Sequence, residues 1–213
     1  KGSDVLQGVN PANGVVFYYH LPQSVSNTDI SLEIRDAKYQ LIRRFSGLKD
    51  PAYKAYEGAP SPAPLMGVNK GLNRFVWDMK HPIMPGIPDV YIEAGFTGHK
   101  VSPGNYTFTL NVDGQKVTTT GIIKELPTYE TKPGQYEEFD VFMTAAEAEL
   151  TVMHNMVNQL YAAQKELTAI LKKVTDPTVK TAGEKLLADM KAWDAEMVQR
   201  KSQAYDDVEN FPN

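Results

Sequence analysis

The hydrophobic period changes in the middle of this chain, and this change constrains the fold more than any other feature. Up to about Glu125, apolar residues occur in short alternating runs that Gly, Pro, Asn and Asp separate. That pattern is typical of the strands and turns of an all-β domain. From about Tyr136 onward, apolar residues recur every three or four positions, which indicates helices. Residues 126–134, which include two prolines, are predicted to form a short linker between the two halves.

The first half is predicted to be a β-sandwich, immunoglobulin/fibronectin III-like, over residues 1–128. Its expected strands span residues 14–21, 30–35, 39–45, 72–79, 105–112 and 115–124. Asp113 and Gly114 form a type I′ hairpin signal between the last two strands. Short antiparallel strands with an aromatic-rich face favour two packed sheets. Because the chain has no cysteine, we expect Trp77 to anchor a core without a disulfide.

The second half, residues 135–205, is predicted to be an all-α antiparallel helical hairpin. Apolar residues from Ala146 to Val174 follow a repeating 4,3 spacing, with one polar break at Gln164. Asp176 and Pro177 have the residue types of a helix N-cap and of a first helical position. Two helices joined by so short a connection are expected to lie antiparallel.

The apolar seam of this hairpin is predicted to mediate association, since a pair of helices alone leaves half of its apolar surface in water. The partner would be another part of the parent protein or a second copy of the chain. The expected association residues are Leu150, Met153, Val157, Leu160, Leu167, Leu171, Leu186, Met190 and Trp193.

Two long segments rich in proline and glycine, residues 48–70 and 80–103, interrupt the strands. Both exceed the usual connection of about 4–6 residues, so they are candidates for binding loops. Exposed aromatic rings stack on sugars, which makes a glycan ligand one alternative, with His81 or His99 as additional contacts. The other alternative is that the rings hold the loops in place. The aromatic residues concerned are Tyr53, Tyr56, Tyr91 and Phe96.

The composition excludes several classes of function. A formal net charge of -4 and a pI near 5.6 give no reason to expect a nucleic-acid partner. No run approaches the roughly 20 apolar residues that span a bilayer, so no membrane span is predicted. The absence of cysteine excludes disulfides, thiol nucleophiles and Cys-ligated metals.

Catalytic motifs are missing from the sequence. It contains no G-x-S-x-G elbow, no P-loop and no Gly-x-Gly-x-x-Gly loop, and no two histidines have H-x-x-x-H spacing. We therefore predict no catalytic residue, no metal and no cofactor for these residues. One hydrolase alternative stays open, in which Asp78, Asp89 or Glu93 converges with a histidine. The histidines are His20, His81, His99 and His154.

Three stretches carry a family resemblance: ISLEIRDAKYQLIRRF at 30–45, GLNRFVWD at 71–78 and VSPGNYTFTLNV at 101–112. The series resembles the FlgD-type immunoglobulin-like domain, with Tyr39 and Gln40 where that domain often has a turn glycine. Together with the helices and residues 210–213, the chain is similar to the C-terminal region of bacterial proteins with sortilin-like BNR (Asp-box) β-propellers, often labelled glycosyl hydrolases.

This resemblance implies a non-catalytic accessory or scaffolding region of a secreted, periplasmic or cell-surface protein. Its implied partner is the N-terminal β-propeller of the parent chain, which would also hold any catalytic residues. The Asp-box pattern S-x-D-x-G-x-x-W does not occur in these 213 residues. A chain that begins at Lys1 is expected to be processed or excised from a longer protein, and residues 206–213 are expected to be a truncated tail.

Overall fold

The computed structural model describes residues 8, 10–51, 53–91 and 95–200. Six strands precede two helices, as the two hydrophobic periods predict. The strands are β1 Val15–Leu21, β2 Ile30–Arg35, β3 Leu41–Ser46, β4 Gly71–Trp77, β5 Gly104–Val112 and β6 Gln115–Ile123, and the helices are α1 Gln135–Leu171 and α2 Pro177–Met197. Neither helix combines the length and the apolar character that a membrane crossing requires, among the residues so described.

The strands form two antiparallel sheets. One has four strands in the order β3-β2-β5-β6, and the other pairs β1 with β4. Asp113 and Gly114 join β5 to β6 with φ angles of 49° and 79°. Positive φ at both central positions is the requirement of a type I′ turn, so the predicted hairpin is confirmed.

The two sheets enclose one apolar core. Trp77 and Ile34 are completely buried in it. Aromatic rings from opposite sheets are in contact, with 5.0 Å between the centroids of Phe17 and Phe108 and 4.8 Å between those of Phe45 and Phe75. The Trp77 indole donates a hydrogen bond to the Lys80 carbonyl at 3.1 Å, which satisfies its only polar group. This arrangement is compatible with the predicted sandwich and its tryptophan anchor.

The chain divides into two compact units that are not contiguous in sequence. The sheet unit comprises Lys1–Tyr53, Pro62–Pro82 and Gly98–Val141. The helical unit comprises Lys54–Ser61, Ile83–Thr97 and Phe142–Asn213. Each unit therefore contains parts of the two long segments that interrupt the strands. The first turns of α1 belong to the sheet unit, and the remainder of α1 belongs to the helical unit.

The two helices contact each other in antiparallel order. Gln164 Nε2 donates to the Met190 carbonyl at 3.2 Å. Further along, a Cβ added to Gly183 would lie 2.5 Å from Leu171 Cδ2, so the backbone of α2 approaches α1 closely there. Asp176 caps α2 by accepting hydrogen bonds from the next turn, and Pro177 is the first helical residue, as predicted.

Candidate functional site

One side of α1 binds the backbone of the segment Ile83–Thr97. His154 Nδ1 lies 2.8 Å from the Pro85 carbonyl oxygen, and Asn158 Nδ2 donates to the Gly86 carbonyl at 2.8 Å. One turn later, the Tyr161 hydroxyl donates to Asp89 Oδ2 at 2.7 Å. Residues spaced by four and three positions share one side of a helix. This side of α1 therefore binds the segment through two main-chain carbonyl groups and one carboxylate.

A small apolar core lies beneath this segment. Ile87, Phe96 and Val157 are its buried members. The Phe96 ring meets the His154 ring edge-on at 5.6 Å, and Phe96 is only 6% exposed. A ring that stacks on a sugar needs an exposed face. The burial of Phe96 favours the other interpretation, in which the ring holds its loop in place.

Arg200 connects the same segment to both helices. Its guanidinium donates two hydrogen bonds to the Asp194 carboxylate, at 2.5 and 2.8 Å, and a third to the Pro88 carbonyl at 2.8 Å. The guanidinium carbon also lies 3.8 Å from the centroid of the Tyr161 ring. Lys165 Nζ lies 4.1 Å from the centroid of that ring. Paired charges and cation–π contacts thus reinforce the apolar packing.

The remaining aromatic residues of the predicted glycan set are in different environments. Tyr56 is partly buried, and a side chain at Gly86 would overlap its hydroxyl and the Pro60 ring. Tyr56 therefore packs on the Ile83–Thr97 segment. Tyr91, in the helical unit, is 39% exposed, and Tyr53, in the sheet unit, is 36% exposed.

Away from the segment, α1 exposes a second row of apolar side chains. Val152, Met156 and Ile170 are each about half exposed. At 3.6 residues per turn, this row lies about 170° around the helix from the row formed by His154, Asn158 and Tyr161. The Ile83–Thr97 segment therefore covers one side of α1 and leaves the opposite side open.

The second helix exposes apolar side chains on the same side of the pair. Leu186 and Trp193 are 53% and 42% exposed. On α2 they lie about 60–80° to one side of Gly183, which faces α1. Because α2 runs antiparallel to α1, this angle places Leu186 and Trp193 on the side of the helix pair on which Met156 is exposed. The open apolar face consists of Val152, Met156, Ile170, Val179, Leu186, Trp193 and Met197.

The predicted association seam is divided between buried and exposed positions, and of its exposed residues Leu186 and Trp193 belong to this face. Val157 is fully buried, and Leu150, Leu186 and Trp193 are exposed. The other seam residues are partly buried, namely Met153, Leu160, Leu167, Leu171 and Met190. Periodicity identified the apolar residues of each helix. It did not identify His154, Asn158, Tyr161 and Arg200, whose contacts are with a segment distant in sequence.

A polar cluster in the sheet unit contains two of the histidines. The rings of His81 and His99 are stacked, with 4.0 Å between centroids. Ser102 Oγ donates to Asp140 Oδ1 at 2.6 Å, and His99 Nε2 lies 3.9 Å from the same oxygen. A serine nucleophile donates its proton to a general base such as histidine, whereas this hydroxyl donates to a carboxylate. The cluster therefore lacks the geometry of a Ser-His-Asp triad.

The buried cation beside this cluster has a main-chain partner. Arg43 Nη1 donates to the His81 carbonyl at 2.6 Å. Burial lowers the pKa of Arg43, and the charge of Asp78 partly offsets that effect. Groups of three or more His, Asp or Glu side chains that could hold a metal ion do not occur among the described residues.

The acidic residues of the open hydrolase alternative have structural contacts. Asp78 Oδ1 accepts a hydrogen bond from the Lys80 amide at 3.2 Å, and Asp89 bonds Tyr161 in the helical unit. Glu93 lies outside the described residues. A scan against protein-family models, a search of the curated proteins and a search of the solved structures found no match.

Proposed function

We propose that this chain is a non-catalytic accessory region that docks a protein partner through the open apolar face of its helical unit. The observation that carries the proposal is the exposure of seven large apolar side chains on one side of two paired helices. Exposed patches of several hundred Å² mark interaction sites more often than single exposed apolar residues do. Each Å² of apolar surface removed from water contributes about 25 cal/mol before the entropic cost of association.

The biological setting of the proposal comes from the family resemblance. We propose an immunoglobulin-like, FlgD-type sheet unit in a secreted, periplasmic or cell-surface bacterial protein. The docking partner is then the N-terminal β-propeller of the parent chain. A second copy of the chain is the other protein that the association seam predicts. The strand motifs of the resemblance support this setting, and the exposed helix face separately supports docking.

The two tryptophans allow a direct test. Trp77 is completely buried and Trp193 is 42% exposed on the open apolar face. Docking should move the Trp193 emission to shorter wavelength and protect it from acrylamide quenching, while Trp77 stays unchanged. The measurement is quenching over a concentration series of the chain alone and of the chain mixed with the parent propeller. The variant Trp193→Phe leaves only the emission of Trp77, so the part of the signal that it removes belongs to Trp193.

Leu186→Asp should abolish the protection, because it places a charge in the centre of the face. Ala188→Asp is the matched control, since Ala188 is exposed on the opposite side of the same helix. If both variants behave like the unchanged chain, or if neither concentration nor propeller protects Trp193, the proposal is wrong.

Glycan binding through Tyr53 and Tyr91 stays a prediction with less support, since Phe96 is buried and Tyr56 packs on a neighbouring segment. Affinity electrophoresis against a panel of polysaccharides, with Tyr91→Ala as control, tests it separately. Retardation by one glycan that the variant loses would establish a sugar site that includes Tyr91.

A further inference from the structure

We infer that the occupant of the open apolar face is an amphipathic helix with basic residues along its rim, supplied by the propeller-containing parent protein as a segment outside the β-blades. This inference rests on the proposed docking function and names the chemistry of the partner. It follows from the shape of the face and from the sign of the charges around it.

The shape of the face fits one helix. Apolar residues occur in two rows, Met156 to Ile170 on α1 and Val179 to Met197 on α2. The partly buried Leu160 and Leu167 lie between these rows, so the surface is a shallow groove with an apolar floor. At 1.5 Å per residue, the α1 row is about 21 Å long, the length of a helix of roughly 14 residues. Two parallel rows with a groove between them match helix-in-groove recognition.

The charges on this side of the helices are predominantly acidic. Within α1 and α2 as the structure describes them, helical periodicity places four exposed carboxylates on this side, together with the exposed lysine Lys185 at the edge of α2. Lys180 and Lys191 of α2 lie on the other side. The four acidic residues are Glu149, Glu166, Asp189 and Glu196.

This acidic rim discriminates between occupants. A second copy that presented the same face would bring carboxylates against carboxylates, and like charges across an interface disfavour association. An anionic lipid surface would be repelled for the same reason. A helix with lysine or arginine beside its apolar stripe has the complementary charge, and its association would weaken with salt.

The test uses three designed 18-residue peptides that lack tryptophan. Two share leucines at helical spacing and differ only in having a lysine or a glutamate rim, and the third is a scrambled lysine peptide. Each is titrated into the full chain at low and at high salt, with Trp193 emission and calorimetry as readouts. We expect the lysine-rim helix to bind at least tenfold more tightly than the other two, with a difference that shrinks at high salt.

A second experiment reverses the charges around the face. Glu149→Lys, Asp189→Lys and Glu196→Lys together should invert the preference toward the glutamate-rim peptide. The matched control is Glu57→Lys, Glu130→Lys and Glu184→Lys, three exposed acidic residues that are not among the four carboxylates of the rim and that change the net charge equally. This control should keep the original order of affinities. Circular dichroism and denaturant unfolding establish that both triple variants are folded.

The outcomes separate this inference from the docking proposal. Equal binding of the lysine and glutamate helices would overturn the charge inference and leave docking by apolar contact in place. Self-association that Leu186→Asp abolishes, without binding of either peptide, would overturn it in favour of a second copy. If no peptide binds and Trp193 is unprotected under all conditions, the inference and the docking proposal are both wrong.

Discussion

The sheet unit and the helical unit bury apolar side chains in different ways. In the sheet unit, two sheets face each other, and residues such as Ile30, Ile34 and Trp77 are at most 1% exposed. Among the described residues of the helical unit, only Ile87, Phe96 and Val157 form a buried apolar cluster. Two of these three residues come from the Ile83–Thr97 segment and not from a helix.

The difference follows from geometry. Two facing sheets cover each other's inner surfaces, whereas two paired helices share only a narrow line of contact and leave both sides of the pair open. The Ile83–Thr97 segment covers one of those sides, and its carbonyl groups bond His154, Asn158 and Arg200. The other side stays exposed, and it is the side for which we propose a partner.

We expect the largest loss of stability from a substitution in the closed core of the sheet unit. Trp77→Ala should lower the free energy of unfolding by about 3–5 kcal/mol, because it removes the largest fully buried side chain and leaves a cavity. Leu72→Ala, on the same strand but 72% exposed, should change it by less than about 0.5 kcal/mol. Denaturant unfolding followed by circular dichroism measures both. Similar values for the two variants would contradict a closed core around Trp77.

We expect the stability of the helical unit to depend on charge pairing, whereas the stability of the sheet unit depends on apolar packing. Asp194→Ala leaves the Arg200 guanidinium, whose side chain is 18% exposed, without its carboxylate. We expect a loss of about 3 kcal/mol in the free energy of unfolding. Asp189→Ala, exposed on the same helix, is the control and should have little effect. The double replacement Asp194→Leu with Arg200→Met should recover most of the loss, and failure to do so would assign the cost to something other than the unpaired charge.

A smaller change in stability should appear in the sheet unit at alkaline pH, through Tyr106. The Tyr106 hydroxyl donates to the Ser102 carbonyl at 2.6 Å, and burial, together with the charges of Asp140 and Asp36, raises the pKa of Tyr106 to about 12. Above the ordinary tyrosine pKa of about 10, the unfolded chain loses this proton while the folded chain keeps it. The stability contribution is therefore complete below pH 10 and declines as the pH rises toward 12.

Tyr106→Phe should lower the free energy of unfolding by about 1 kcal/mol at neutral pH, through the lost hydrogen bond. The variant should also show a shallower decline of stability above pH 10. Tyr18→Phe, at a position 64% exposed on β1, is the control. Unfolding measured from pH 7 to 11.5 provides the comparison, and equal slopes for Tyr106→Phe and the unchanged chain would contradict the assignment.

The sequence alone determined the elements of both units. Strand and helix positions follow from the period of apolar residues, and the ends of elements follow from local chemistry, as at Asp113–Gly114 and at Asp176–Pro177. These signals involve residues within a few positions of one another, so they can be interpreted without knowledge of the fold. The buried position of Trp77 was predictable for the same reason, since the alternation of a strand places it on the same face as Phe75.

Only the tertiary structure decided which apolar residues are covered and which are exposed. Leu186 and Val157 have the same helical spacing in the sequence, yet Leu186 is 53% exposed and Val157 is fully buried. Phe96 and Tyr91 lie five positions apart in one proline-rich segment, and only Phe96 is buried. The physical reason is that burial depends on contacts between segments far apart in sequence, such as the contact between Pro85 and His154, which are 69 positions apart. Local periodicity carries no information about those contacts.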